Sequence, residues 1–226
     1  MRYNPRAVSA KYPRSFHLPW SPGGTSDDKR LRDVGGLLGS EIVVTEKCDG
    51  SNLAYTRAHV FSRSHSGPPT HPSFAIAKAT HAQLAHDLPD DLSIFCEYCY
   101  AVHSIEYEAL PAFSLVFGVR DDAKGTWWPW DEVVAQAEAL ALPTVPVLFR
   151  GVVKTERDLR ALTESLSAAP SAFGGRREGV VVRRAEGFDD AAFPRSLGKW
   201  VRKDHVTTDE HWMHQSIVAQ KLIPKG

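Results

Sequence analysis

The sequence predicts one mixed domain of strands and helices, and three observations carry that reading. Short runs rich in β-branched and aromatic residues, such as Glu41–Thr45, Phe113–Asp121 and Gly179–Arg184, have strand length and lie between turn signals. Between them stand segments with apolar residues at helical spacing, stopped by proline or opened by a capping residue. A chain of 226 residues, 42% hydrophobic and 24% charged, suits one globular domain or a domain with a small extension.

In chain order, residues 1–40 are punctuated by Pro13, Pro19, Pro22-Gly23-Gly24 and Gly35-Gly36 and read as a loop-rich extension. Arg14, His17, Lys29, Arg30 and Arg32 make it locally basic, with Asp27-Asp28 as an interruption. Glu41–Thr45 and Leu53–Arg57 read as strands joined by the turn signal Asp49-Gly50, the pattern of a hairpin. His59–Ser64 is a third strand, followed by a loop at Gly67–Pro72. Phe74–His86 reads as a helix ended at Leu88-Pro89, and Leu92–Tyr100 as a buried strand in which Glu97 stands among apolar neighbours. A carboxylate in such a place needs a partner or a task.

Phe113–Asp121 is the next strand, and Trp127-Trp128-Pro129-Trp130 follows as a loop that either anchors to the core or stacks on bases. Asp131 is the expected cap of a helix to about Leu142, with Val133, Val134, Ala137 and Leu140 on one face. Thr155–Asp158 opens another helix through about Ala168 as a capping box. Strands follow near Gly179–Arg184 and Leu197–Lys203, and Thr207–Glu210 opens a final helix to about Gln220.

Composition excludes some classes. No apolar run is long enough to span a bilayer, so no membrane role is expected. Met1–Arg6 lacks the apolar core of a secretion signal, and cytoplasm is the expected location. Three cysteines, Cys48, Cys96 and Cys99, form no even disulfide framework, which agrees with a reducing compartment. Cys96 and Cys99 have C-x-x-C spacing, but no second pair completes a zinc site, and they read as packing residues. His205, His211 and His214 lack the companions of a metal cluster and read as surface residues or as residues facing a bound polymer. Basic and acidic residues balance at 27 each, which argues against a protein that coats phosphate backbone non-specifically while allowing a local basic groove.

The stretch Glu46-Lys47-Cys48-Asp49-Gly50-Ser51-Asn52 carries the chemistry. Its Lys-x-Asp-Gly-x-Asn core resembles the nucleophile motif of the covalent lysyl-nucleotidyltransferases, the superfamily of RNA ligases, DNA ligases and mRNA capping enzymes. Asn52, two residues after the glycine, is the residue type that RNA ligases carry where DNA ligases and capping enzymes usually have Arg. Further matches follow in family order. Arg63, after a strand and before a loop, is similar to the motif that contacts phosphate or the RNA end, with Arg57 its neighbouring alternative. Glu97 resembles the glutamate that meets the ribose, and Phe117 the aromatic residue that stacks on adenine. Glu178-Gly179 before a β-branched run is similar to the motif whose glutamate positions a divalent metal. Lys199 matches the cationic strand that binds the α-phosphate. Its usual second lysine is missing, and Arg202 or Lys203 is left to complete the pair.

The resemblance implies an α+β nucleotidyltransferase domain, with antiparallel sheets enclosing the nucleotide and helices outside. Residues 41–205 would form that domain, 1–40 a loop-rich extension that covers the pocket, contacts phosphates or packs on the domain, and 206–226 a helical tail. No OB-fold domain is expected. The implied reaction uses ATP and Mg²⁺ or Mn²⁺: Lys47 takes AMP, passes it to an RNA 5′-phosphate, and a 3′-OH displaces it to seal the strand. Lys47, Asp49, Asn52, Arg63, Lys199 and Arg202 are the implied catalytic set. Glu46, Lys47, Glu97, Phe117, Glu178, Lys199 and Arg202 would bind nucleotide, and Glu178 with Asp49 would hold the metal directly or through water. Lys199 and Arg202 beside Lys47, with desolvation, are expected to favour its neutral amine. RNA with 5′-phosphate and 3′-OH ends is the implied partner, alongside a protein that docks RNA or heals ends. A DNA ligase, a capping-type enzyme or a non-catalytic nucleotide- or RNA-binding module is the alternative.

Overall fold

A computed structural model describes residues 11–24, 28–63, 68–203 and 217–224. In chain order its strands are β1 (Phe16–His17), β2 (Glu41–Lys47), β3 (Ser51–Tyr55), β4 (Val60–Ser62), β5 (Leu92–Tyr98), β6 (Ser114–Asp121), β7 (Thr126–Trp127), β8 (Val147–Val152), β9 (Gly179–Arg184), β10 (Phe188–Asp189) and β11 (Leu197–Val201). The α-helices are α1 (Ala75–Leu84), α2 (Trp130–Ala139), α3 (Glu156–Ala168) and the short α4 (Phe193–Ser196). Two sheets result, one ordered β1-β11-β9-β2-β8 and the other β10-β7-β6-β5-β3-β4. Every pairing between named strands is antiparallel except β1 with β11, so this is a mixed fold with antiparallel sheets.

Side-chain alternation along each strand sorts the residues into layers. On the first sheet Ile42, Val44, Val180 and Val182 face a core shared with Leu159 of α3 and with Leu18, Leu31 and Val34 from the N-terminal segment. On the second, Leu53, Tyr55, Ile94, Cys96 and Leu115 pack with Ala77 of α1 and Val133 of α2. The opposite faces bring Ala54 and Phe95 of the second sheet together with Leu197 of the first, joined by Trp127 and Phe193. Both faces of the central strands are thus covered, which is why they read as nearly continuous apolar runs.

The expected β2–β3 hairpin does not form. β2 pairs with β8 and β9, whereas β3 pairs with β4 and β5. Cys48-Asp49-Gly50 instead carries the chain from one sheet to the other, and a local turn signal does not encode which strand comes alongside. Gly50 lies against the Tyr98 carbonyl oxygen, where an added Cβ would sit 2.6 Å away.

Other expectations shift at element ends. Pro129, not Asp131, is the cap residue of α2, and Asp131 pairs with Arg150. Thr155 caps α3 by accepting from the Asp158 N–H at 3.1 Å. The tryptophan stretch is an anchor at Trp127 and Trp130, both buried. Residues 1–10, Asp27, Ser64 and the capping box at Thr207–Glu210, with His205, His211 and His214, lie outside the described residues. The end of the expected final helix is not helical: Ala219 bridges to Ala101, Leu222 bridges to Leu110, and the buried Gln220 side chain bonds Tyr107 and Ile105. The N-terminal segment is built into the fold, since β1 extends the first sheet and Leu18 and Leu37 are fully buried.

Candidate active site

The space left between the two inner faces is a cavity of about 960 Å³, within the range of small-molecule sites. Strand period places its polar lining. Thr45 and Lys47 alternate inward on β2, Val181 and Arg183 on β9, and Lys199 on β11, while Asn52 on β3 and Glu97 on β5 face them from the other sheet. Phe117 also lines it. The β5–β6 register passes from Phe95–Gly118 to Cys96–Val116, so Phe117 is the extra residue of a β-bulge. Bulges re-aim side chains in this way beside functional sites.

Lys47 ends β2 opposite Gly179, the first residue of β9. An added Cβ at Gly179 would lie 2.0 Å from the Trp200 carbonyl oxygen, so the Glu178-Gly179 step demands glycine. That close packing sets Glu178 beside Lys47, with Lys47 Nζ 2.6 Å from Oε1 and 2.8 Å from Oε2. Burial alone would push Lys47 down, but Glu178, Glu97 and Asp49 outweigh it and hold the ammonium well above the usual lysine range. The expected depression of Lys47 by neighbouring cations is therefore corrected, because its nearest charged neighbours are carboxylates. Lys199 moves the other way, lowered first by burial and then by Lys47. Burial pushes Glu178 up, and it pushes Glu97 up to about 7 with help from Glu178 and Asp49, against the pull of Lys47.

Glu97 sits on a central strand, accepting from the Gly50 N–H at 3.1 Å, rather than on a solvent-facing edge. The Asn52 side-chain oxygen is buried without a hydrogen-bond partner among the described residues, as an acceptor kept for a ligand would be. Arg63 lies exposed just past β4 and lines the cavity. Arg57 is placed away from it, on the Leu88 carbonyl and Asp90.

Three sequence-predicted side chains are engaged elsewhere or lie off the cavity, although Glu46 itself is among the residues that line it. Glu46 alternates away from Lys47, and its carboxylate accepts from Ser171 Oγ at 2.5 Å and the Ala172 N–H at 2.9 Å and pairs with Arg177 at 3.2 Å. Its side chain ties down the 171–177 loop and has little capacity left for nucleotide. Asp49 accepts from the Ser104 and Ile105 N–H groups at 2.7 and 2.9 Å, with His103 at 4.0 Å, so it fixes the crossover between the sheets instead of projecting into the cavity. Arg202 follows the end of β11 and is not among the cavity-lining residues, nor is Lys203. Alternation puts Arg202 on the opposite face from Lys199, and Lys203 lies beyond the end of β11.

The structure also adds residues that sequence reasoning missed. Arg183 is buried in the cavity wall, donating to the Trp128 carbonyl at 2.7 Å and stacked on Trp130 and Phe188, and burial lowers it to about 10. Tyr12 and Asp28 enter from the N-terminal segment. Arg183 follows the Glu178-Gly179 motif on the inward parity of β9, which is the signal that could have found it.

The residues fit a hydrated divalent ion and not a protein cage. No group of three or more His, Cys, Asp or Glu side chains placed to hold a metal occurs among the described residues. A carboxylate at Glu178, joined by phosphate oxygens and water, is the donor set Mg²⁺ accepts. The three cysteines are free and buried, in agreement with packing roles.

No curated protein matches the chain in sequence. Among solved structures, a Naegleria gruberi RNA ligase variant with ATP and Mn is 16% identical with a TM-score of 0.55, over 87% of this chain and 60% of that one. Another Naegleria gruberi variant with ATP and Mn aligns at 16% identity and TM-score 0.54, over 75% of this chain and 51% of that one. An archaeal ATP-dependent RNA ligase aligns at 16% identity and TM-score 0.55, over 84% of this chain and 48% of that one. The chain thus spans about half the length of these ligases, and the likeness establishes the fold. The RNA ligase family model matches residues 40–201, from the start of β2 to the end of β11, and so takes in Lys47, Glu97, Glu178 and Lys199 on one continuous domain; the chain belongs to the RNA ligase family.

Proposed function

We propose that this protein is an ATP-dependent RNA ligase that works through AMP bound covalently to Lys47. The observation that carries the proposal is Lys47 on the wall of a cavity, backed by the buried Glu178 carboxylate behind it, with Asn52, Glu97, Phe117 and Lys199 on the other walls. The adenine would lie between Phe117 and Val181, the ribose near Glu97, and the phosphates between Lys47 and Lys199. Residues 11–201 would act as one catalytic body.

Lys47 attacks only as the free amine, so the ammonium held by Glu178 is a resting state. Its proton must leave as the nucleotide arrives, and the buried Glu178 carboxylate, at 2.6 Å, is the nearest acceptor. Lys199, with its ammonium pulled down by burial and by Lys47, faces the same space and would offset phosphate charge. Glu178 is the residue that would hold Mg²⁺ or Mn²⁺, which would supply charge neutralisation at the phosphates. Arg63 at the cavity edge would meet the incoming RNA 5′-phosphate. With zero formal net charge, the chain would bind RNA weakly and in a salt-sensitive manner, leaving RNA docking to a partner surface. Cytoplasm is the proposed compartment; no helix among the described residues is long and apolar enough to cross a membrane.

The test is end joining. RNA carrying a 5′-phosphate and a 3′-OH is incubated with ATP and Mg²⁺ or Mn²⁺, beside matched DNA ends and GTP. Joined RNA with ATP is expected. Sealing of DNA alone, or a requirement for GTP, would replace the ligase reading with one of its superfamily alternatives.

A further inference from the structure

The N-terminal segment contributes more to the cavity than a wall. Tyr12 lies with its ring centroid 5.0 Å from Phe117, 5.2 Å from Phe95, 5.4 Å from Trp127 and 5.5 Å from Phe193. Side chains stand roughly perpendicular to their sheet, so Phe95 and Phe117 project into the same inner space that Tyr12 fills. Tyr12 meets Phe117 edge to face, at 82°, and aromatic pairs of either geometry keep their centroids about 4.5–7 Å apart, so a base resting on Phe117 and the Tyr12 ring claim the same shell. The neighbours of Tyr12, Lys11 and residues 13–15, line the cavity as well.

Beyond β1 the same segment returns to the cavity at its other end. The Asp28 carboxylate lies 3.7 Å from Lys199 Nζ and 3.6 Å from His17 Nε2. To an ammonium group, a carboxylate oxygen and a phosphate oxygen offer the same charge-assisted contact. Between these two residues β1 is fixed: Phe16 pairs with Gly198 and His17 with Lys199, and Leu18 is fully buried. The segment therefore has a firm anchor flanked by one aromatic and one anionic group, each set on a residue that the ligase reading assigns to nucleotide.

We propose that Tyr12 and Asp28 are built-in occupants of the nucleotide cavity, Tyr12 beside Phe117 in place of the base and Asp28 on Lys199 in place of a phosphate, and that ATP enters by displacing both. This rests on the proposed ligase function. It makes the N-terminal segment, which lies outside the family match, a brake on the first step of the reaction. A site that must first be vacated binds its ligand more weakly in proportion to the fraction of time it is open.

The experiment measures ATP binding by calorimetry in the Lys47→Ala background and AMP transfer in the Lys47 protein, for Tyr12→Leu, Asp28→Asn and the double variant. Leucine keeps apolar volume among the four rings while removing the flat competitor, and asparagine keeps the shape of Asp28 without its charge. Thermal melting of each variant confirms folding. Each single variant is expected to bind ATP about threefold to tenfold more tightly, and the double variant more tightly than either, with the maximal rate of AMP transfer unchanged. Tyr12→Phe, which retains the ring, is expected to stay at the wild-type affinity. Unchanged or weaker ATP binding in Tyr12→Leu and Asp28→Asn would overturn the proposal and make the two residues fixed walls. Tighter binding without AMP on Lys47 would instead overturn the ligase reading alone.

Discussion

The two sheets meet at one cavity but bring different chemistry to it. The sheet containing β2, β9 and β11 contributes the cationic groups, Lys47, Arg183 and Lys199, with Glu178 just before β9. The sheet containing β3, β5 and β6 contributes Asn52, Glu97 and Phe117, which the proposed function assigns to the sugar and the base. Within the first sheet, environment separates two identical side chains. Lys47 is held as an ammonium by Glu178, whereas Lys199, with Asp28 at 3.7 Å and Glu178 pulling it up more weakly, is lowered by burial and by Lys47. Position relative to a buried carboxylate, not residue type, sets the direction in which each lysine shifts.

The comparison can be broken first at its support. Glu46 and Arg177 are both buried, and Glu46→Ala leaves a guanidinium unpaired behind the 171–177 loop. Breaking such a pair costs about 3–5 kcal/mol, to be read as a loss of unfolding free energy in urea. Glu41→Ala, at the exposed Arg150 pair, should cost no more than about 1 kcal/mol.

Next comes the charged sheet itself. Glu178→Ala should lower the rate of AMP attachment to Lys47 about 100-fold to 1,000-fold, measured with radiolabelled ATP, since it removes the acceptor beside the amine and the carboxylate that would hold the metal. Retention of full rate would mean that the pair is structural. On the recognition sheet Phe117→Ala should raise the KM for ATP about tenfold, the size expected for losing one stacked base. It should leave the maximal rate nearly intact, and a loss in rate alone would place the base elsewhere.

The smallest effects are in pH. Glu97 has its folded pKa raised to about 7, so as pH rises from the ordinary carboxylate range to 7 the unfolded chain ionises before the folded one and stability falls. Glu97→Gln should remove that part of the loss in melting temperature. His17 is the opposite case. Burial lowers it to about 4, so stability falls as pH drops from the ordinary histidine range through 4, and His17→Gln should blunt this acid loss.

Much of this was legible locally. β-Branched runs located β2, β5, β6, β9 and β11 to within a few residues, and Thr155 marked the start of α3. Lys47, Asn52, Glu97, Phe117, Glu178 and Lys199 were picked from motif and strand position, and all lie on or beside the cavity. The rest depended on pairing across the chain. Asp49-Gly50 has the composition of a hairpin turn, yet the strands it joins find partners in separate sheets. Glu46 belongs to the nucleotide-binding set that the resemblance implies, but strand alternation turns its side chain to the face opposite Lys47. Tyr12 and Asp28 lay in a segment whose prolines and glycines spoke only of loops, and their places are set by β1 joining β11.

The most direct measurement of the central claim is the intact mass of the protein after incubation with ATP and Mg²⁺ or Mn²⁺, with Lys47→Ala alongside. The account predicts a gain of one AMP on the Lys47 protein and none on the variant. The same gain on both proteins, or none on the Lys47 protein once any AMP carried from purification has been removed, would contradict it.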